Sequence, residues 1–131
     1  MPQPFQYQNG SVEFFGRTFL TDPRALIPRF ETEFLVKKTI GWCAQRDIQH
    51  TWSIVDVGTG SGVIAVSLAL ELPMAALTAI DASASTLALA RENALKHGVA
   101  DRVRLTHGDL LSGFDSPADI IAANLPYLPT G

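Results

Sequence analysis

Cysteine is nearly missing from this chain: Cys43 stands alone among 131 residues. No intramolecular disulfide and no cysteine-based metal cluster can therefore form, and Cys43 reads as a small buried hydrophobe on a helix. A surplus of positive charge is missing too. Ten Lys and Arg against 13 Asp and Glu leave a formal net charge of −3. That balance gives no support to broad electrostatic binding of nucleic acid, which favours a basic stripe. The densest basic pair, Lys37-Lys38, reads as a solvated helix face. Nor is there a long apolar run: Val63 to Leu72 contains Ser67 and Glu71 and is too short to span a bilayer. Met1-Pro2-Gln3-Pro4-Phe5-Gln6 lacks the basic and apolar regions of a secretion signal. His50, His97 and His107 have no metal-ligand spacing, and no internal repeat or low-complexity segment occurs. The expected setting is a reducing cytoplasm, with no membrane attachment.

What is present is a globular pattern. A hydrophobic content of 47% and a mean hydropathy of +0.16 fit one domain, or part of a larger one, with a real core. Val12 to Leu20 carries Phe14, Phe15 and Phe19 around Gly16-Arg17 and reads as a short β-hairpin. The two prolines between Asp22 and Glu33 predict an ordered loop. A helix begins near Glu31 or Thr32 and runs to about Arg46, with Leu35, Thr39, Trp42 and Cys43 at helical spacing. From Ser53 strands and helices alternate: a strand over Ser53 to Val57, a helix over Val63 to Leu72 stopped by Pro73, and a strand over Ala76 to Ile80 ending at Asp81. Ser83 or Ser85 then caps a helix whose face holds Leu87, Ala90, Ala94 and Leu95, with Gly98 at its end. Strands over Arg102 to Thr106 and Asp119 to Ala123 follow. Apolar strands separated by helices predict an α/β fold with a parallel sheet covered on both faces. The expected division is a hairpin and Pro-containing loop over residues 1–30, then α/β sequence over residues 31–131.

The glycine-rich turn Asp56-Val57-Gly58-Thr59-Gly60-Ser61-Gly62 follows the first strand of the alternating region and opens a helix. Missing side chains there let the backbone turn sharply and let a ligand approach closely. Alone, such a turn is common in α/β proteins. Its company matters more: Asp81 ends the next strand, where a carboxylate can accept both ribose hydroxyls, and Asp109 ends the third, placed to meet an adenine amino group. Open α/β sheets bind ligands along that edge. A dinucleotide fingerprint, G-x-G-x-x-G, would require glycine at position 63, which is Val; the spacing here is G-x-G-x-G. The glycines thus tilt against NAD without excluding it.

Asn124-Leu125-Pro126-Tyr127 follows the apolar run Ile120-Ile121-Ala122-Ala123, where a buried strand leaves its sheet. An Asn before a stiff Pro-Tyr turn can hold a planar amide or amine. With the glycine turn, it points to a methyltransferase that alkylates nitrogen. Together with Asp56, Asp81 and Asp109, these motifs resemble the class I methyltransferases acting on planar nitrogens, a Rossmann-like fold. Within them the chain is most similar to the HemK/PrmC family, the release-factor glutamine methyltransferases. Phe14-Phe15-Gly16 looks like that family's hairpin. Leu26-Ile27-Pro28-Arg29-Phe30-Glu31-Thr32-Glu33 looks like its Pro-Arg-Pro-Glu-Thr-Glu segment, with Phe30 in place of the second proline. The resemblance runs from about Pro4 to Tyr127.

The resemblance implies S-adenosyl-L-methionine as cofactor, held by Gly58, Thr59, Gly60, Ser61, Gly62, Asp81, Asp109, Leu110 and Asn124. It implies methyl transfer to the side-chain amide nitrogen, N5, of a glutamine in the Gly-Gly-Gln motif of peptide chain release factors. By resemblance, the Asn124 side-chain oxygen and the Leu125 backbone carbonyl accept the two N–H groups, Pro126 biases Leu125 towards an extended conformation, and Tyr127 packs on the planar group. Leu125 replaces the family's commoner proline, but its carbonyl survives the change. Asn-Leu-Pro-Tyr also occurs in rRNA adenine dimethyltransferases, so an adenine-N6 methylase of rRNA or DNA is an alternative. The glycine motif of those enzymes usually carries a proline, where this chain has Thr59. A complete class I sheet has seven strands and four are legible here, without the family's N-terminal helical domain. The expectation is a fragment truncated after the fourth strand, inactive or weakly active alone, with a bare sheet edge that invites oligomerisation.

Overall fold

A computed structural model gives the fold and describes residues 10–109 and 117–123. It opens with an antiparallel hairpin, β1 (Ser11–Phe14) and β2 (Arg17–Leu20). A two-residue hairpin turn needs positive φ at both positions to match the twist of the strands. Gly16 supplies one at φ 76°, while Phe15 adopts φ 50°, an uncommon state for a side chain of that bulk. Phe14 and Phe19 point inward, edge to face with centroids 6.1 Å apart. Both join the main core, and each fully buried Phe contributes about 1.5–3 kcal/mol.

Helix α1 (Phe30–Arg46) starts one residue earlier than its acids alone predict. Phe30 occupies the first helical position, the one place where a helix also accepts proline, so the local shape tolerates either residue. The buried face differs from the expected one. Thr32, Val36, Thr39 and Cys43 face the core, whereas Trp42 stays 39% exposed and Leu35 is half-buried. Trp42 is drawn to the rim by its ring partners: Trp52 lies 5.1 Å away edge-on, and the Arg46 guanidinium lies 3.7 Å over its face. Trp52 in turn donates its indole N–H to the Asp47 carbonyl (2.8 Å). Cys43 is buried, as read from the sequence, and burial pushes its thiol pKa up.

The remaining elements alternate: β3 (Ser53–Val57), α2 (Val63–Glu71), β4 (Ala76–Asp81), α3 (Ala84–Lys96), β5 (Val103–His107) and β6 (Ile120–Ala123). The four strands pair in parallel in the order β5-β4-β3-β6, a Rossmann-like arrangement as expected. Val63 to Ala69 are all buried because α2 lies between α1 and the sheet, which explains a helix apolar on every side. Asp119, expected as a strand residue, instead fastens the strand start. Its carboxylate accepts from the Ser53 N–H and its own N–H donates to the Ser53 carbonyl, both at 2.8 Å.

Helix α3 corrects one further expectation. Leu87, Ala90 and Ala94 are buried, but Leu95 is 58% exposed, and fully buried Asn93 takes the inward place. Helical geometry turns Leu95 about 100° from Ala94 and off that face. The ends of α3 follow the sequence. The Ser83 hydroxyl accepts from the Thr86 N–H, and Gly98 at φ 74° lets its own N–H and that of Val99 reach back to Leu95 and Ala94.

Candidate active site

Parallel pairing brings the C-terminal ends of the strands into one row. Ala123 pairs with Val57, Val57 with Ile80, and Ile80 with Thr106. The glycine turn rises from the middle of that row and is tied down towards β4. Gly58 and Thr59 donate their N–H groups to the Ile80 carbonyl (2.8 and 2.9 Å), and Gly62 donates to Thr59 (2.9 Å). The Gly60 N–H donates to Asp81 Oδ2 at 3.0 Å. Two of the glycines do different work. A Cβ on Gly60 would meet nothing within 4 Å, so its missing side chain leaves open space for a ligand. A Cβ on Gly62 would lie 3.1 Å from the Ala90 Cβ, so its missing side chain lets α2 start hard against α3. Both have positive φ, 58° and 86°, which only glycine adopts without strain.

Asp81 is half-buried and oriented by backbone. Its Oδ1 accepts from the Ser83 N–H and its Oδ2 from Gly60, each at 3.0 Å. An ionised carboxylate has about four acceptor sites, so about two remain for an adjacent pair of hydroxyls. The end of β5 is drawn to the same place. The Gly108 N–H donates to the Asp81 carbonyl (3.0 Å), and His107 Nε2 lies 2.8 Å from the Ala82 carbonyl. Asp109 follows directly and is exposed. Leu110, Asn124, Leu125, Pro126 and Tyr127 lie outside the described residues. Ala123, however, immediately before Asn124, pairs with Val57, immediately before Gly58.

Beneath the turn lies Asp56, fully buried, whose Oδ2 accepts from the Thr59 hydroxyl at 2.8 Å. Its Oδ1 makes no hydrogen bond among the described residues. Burial pushes this carboxyl up to about 7, against the Thr59 hydroxyl and the Ala65 N–H, which favour the ionised form; nearby Asp81 raises it further. The Thr59 side chain therefore turns into the protein, leaving its backbone to meet a ligand, and Ser61 is buried as well. Sequence reasoning missed Asn93, whose Nδ2 donates to the Ser61 carbonyl at 2.8 Å. The available signal was a polar residue flanked on the same face by Ala90 and Ala94. Among the described residues no three His, Cys, Asp or Glu come together to hold a metal ion.

Comparison with known proteins agrees with this geometry. Residues 32–129 match the methyltransferase small domain family. The release factor glutamine methyltransferase of Chlorobaculum tepidum is 44% identical over 97% of this chain and 46% of its own length. That of Moorella thermoacetica is 43% identical over 97% of this chain and 44% of its own length. The chain thus spans about half the length of the curated relatives it matches. Among solved structures, an RNA methyltransferase from Salinibacter ruber, in complex with S-adenosyl-L-homocysteine, aligns with a TM-score of 0.60 at 27% identity. That alignment covers 74% of this chain and 60% of the other. These relatives bear out the likeness to release-factor glutamine methyltransferases read from the motifs. With the match running from the first turn of α1 past the end of β6, on a parallel sheet carrying a glycine turn at its C-terminal edge, the chain belongs to the methyltransferase small domain family.

Proposed function

We propose that this chain carries the cofactor site, and the start of the acceptor site, of an enzyme that methylates the side-chain amide nitrogen of a glutamine in peptide chain release factors. The observation that carries the reading is Asp81, a carboxylate fixed by Gly60 and Ser83 with acceptor capacity left over, beside the open space at Gly60. A second feature fits S-adenosylmethionine better than a dinucleotide. The N–H groups of Gly58, Thr59, Gly60 and Gly62 are already bonded within the protein, so the turn offers a close backbone surface more than a phosphate cradle. Bound there, S-adenosylmethionine supplies a methyl group on a sulfonium that brings its own leaving group.

The chain's residues then divide the work. Asp81 takes the ribose hydroxyls, Asp109 with Leu110 borders the adenine, and the turn from Gly58 to Gly62 lies under the remainder. Asn124 through its side-chain oxygen and Leu125 through its carbonyl hold the two amide N–H groups, with Tyr127 against the planar group and Pro126 keeping Leu125 extended. An amide nitrogen is a poor nucleophile because its lone pair is delocalised. Two acceptors aimed at its N–H groups favour the charge that develops during attack, and orientation alone supplies several kcal/mol. Glutamine is favoured over adenine by the names of the relatives and by the absence of a basic surplus. The lone thiol suits the cytoplasm. Among the described residues β6 pairs on one side only, with Ile121 54% exposed, and an open strand edge of this kind supports the reading that further protein associates there.

Calorimetry with S-adenosylmethionine tests the cofactor reading: heat is expected from the native sequence and little from Asp81→Ala, and equal heat from both removes Asp81 from the site. Methyl incorporation into intact release factor, compared with a release factor whose Gly-Gly-Gln glutamine is replaced and with an adenine-containing RNA, tests the acceptor. Labelling of the RNA instead would establish the adenine reading.

A further inference from the structure

Asn93 lies fully buried in the middle of α3, and its side-chain amide holds two separate parts of the chain. Oδ1 accepts from the Leu20 N–H at 2.7 Å, and Nδ2 donates to the Leu20 carbonyl at 3.0 Å and to the Ser61 carbonyl at 2.8 Å. Both N–H donors of the amide are used, and its orientation is fixed: reversing it would set donor against donor at the Leu20 N–H and oxygen against oxygen at Ser61. Leu20 ends the hairpin; Ser61 lies between the two glycines that open the ligand space and pack on α3.

The same helix grips the residues that follow each of these contacts. The Thr86 hydroxyl donates to the Arg24 carbonyl, and the Arg24 guanidinium bridges Asp22 and Glu92, each at 2.7 Å. One turn before Asn93, Ala90 receives Gly62. A helix face of Thr86, Ala90 and Asn93 therefore carries the hairpin and its following loop at one side and the glycine turn at the other. Docking the hairpin alone would need only the two bonds to Leu20. The third, to the Ser61 carbonyl, fixes the peptide that links Ser61 to Gly62, one residue beyond Gly60.

We infer that Asn93 is a positioning residue for the cofactor, fixing the Ser61 peptide so that the turn keeps its open shape at Gly60, and making that shape depend on the seated hairpin. The inference rests on the reading that this turn seats S-adenosylmethionine. It deepens that reading by extending the site to a helix interior and, through Leu20, to the hairpin.

The test separates positioning from simple stability. S-adenosylmethionine affinity is measured by calorimetry, well below the unfolding midpoints, for the native sequence, Asn93→Ala and Leu89→Ala. Leu89 is fully buried on the same helix and has no part in the turn, so its truncation lowers the midpoint while leaving affinity within about twofold. Asn93→Ala should weaken binding at least about tenfold, the loss of roughly one hydrogen bond to a buried carbonyl expressed in the turn. Equal affinities for the two variants overturn the inference. Should Asn93→Ala fail to fold, hydrogen exchange on the native sequence decides: saturating S-adenosylmethionine should slow exchange at the Leu20 amide as well as at Gly60. Protection at Gly60 with none at Leu20 overturns the coupling. A native chain that gives no heat and no protection anywhere removes the cofactor reading itself, and that result is distinct from either of the others.

Discussion

The two flanks of the glycine turn are held in different ways. Towards α3 and β4 the turn is fastened by the Gly60–Asp81 and Asn93–Ser61 hydrogen bonds and by the close fit of Gly62 on Ala90, and the end of β5 is stitched to the same segment. Towards β6 the described structure offers one parallel strand, anchored at its far end by Asp119 on Ser53, with Ile121 54% exposed on its outer part. On the proposed function, the cofactor side is held by contacts within the described residues, whereas the acceptor side follows β6, which among those residues pairs with β3 alone. Binding and transfer should therefore come apart under mutation.

The sharpest way to pull them apart is Asn124→Ala. On the proposed function, methyl transfer should fall by about 10²–10³-fold, the size of effect seen when one donor of a charge-stabilising site is removed, while S-adenosylmethionine affinity falls far less; comparable losses in both would merge the flanks. Gly62→Val attacks the fastened flank, where positive φ and a clash with Ala90 should together cost about 3 kcal/mol in urea unfolding, with cofactor affinity lost as well. The centre, Asp56, answers to pH. Its folded-state pKa of about 7 stands above the ordinary value of 3.8, so the native chain holds a proton that the unfolded chain has released. Stability is then full below about pH 4, falls by up to about 1.4 kcal/mol per pH unit towards pH 7, and levels off above. Asp56→Asn should flatten that profile in urea titrations, and an unchanged slope would move its origin elsewhere. Gly60→Ala is the mildest, about 1 kcal/mol from backbone strain alone, because open space surrounds the new methyl. Its larger effect should be on cofactor affinity, by occupation of that space.

Strands, helices and the glycine turn at the sheet edge were legible because periodicity and glycine spacing are local. Boundaries at β3, α2 and β4 fall within a residue of their expected places, and Ser83 caps α3 as read. The misjudged face is that of Leu95. It is apolar and adjoins buried Ala94, yet which side of α3 turns inward is set by partners distant in sequence, Leu20 and Ser61, which claim Asn93. Thr59 shows the same limit within the site. Its place in the motif marks the turn but does not reveal that its hydroxyl donates to Asp56, three residues back. Sequence motifs mark where a backbone must bend; they say less about which side chains the bend consumes.

The chain's two tryptophans stand together at the foot of the sheet, Trp52 just before β3 and Trp42 in the last turns of α1, while the ligand edge lies at the other end of the same strand. Six residue steps along the strand put roughly 20 Å between Trp52 and Gly58. Indole emission is therefore an optical gauge of whether the molecule is folded, placed away from the glycine turn. A fluorescence melt of the free chain reads stability, and the rise of its midpoint with added S-adenosylmethionine is a second measure of binding beside the isotherm.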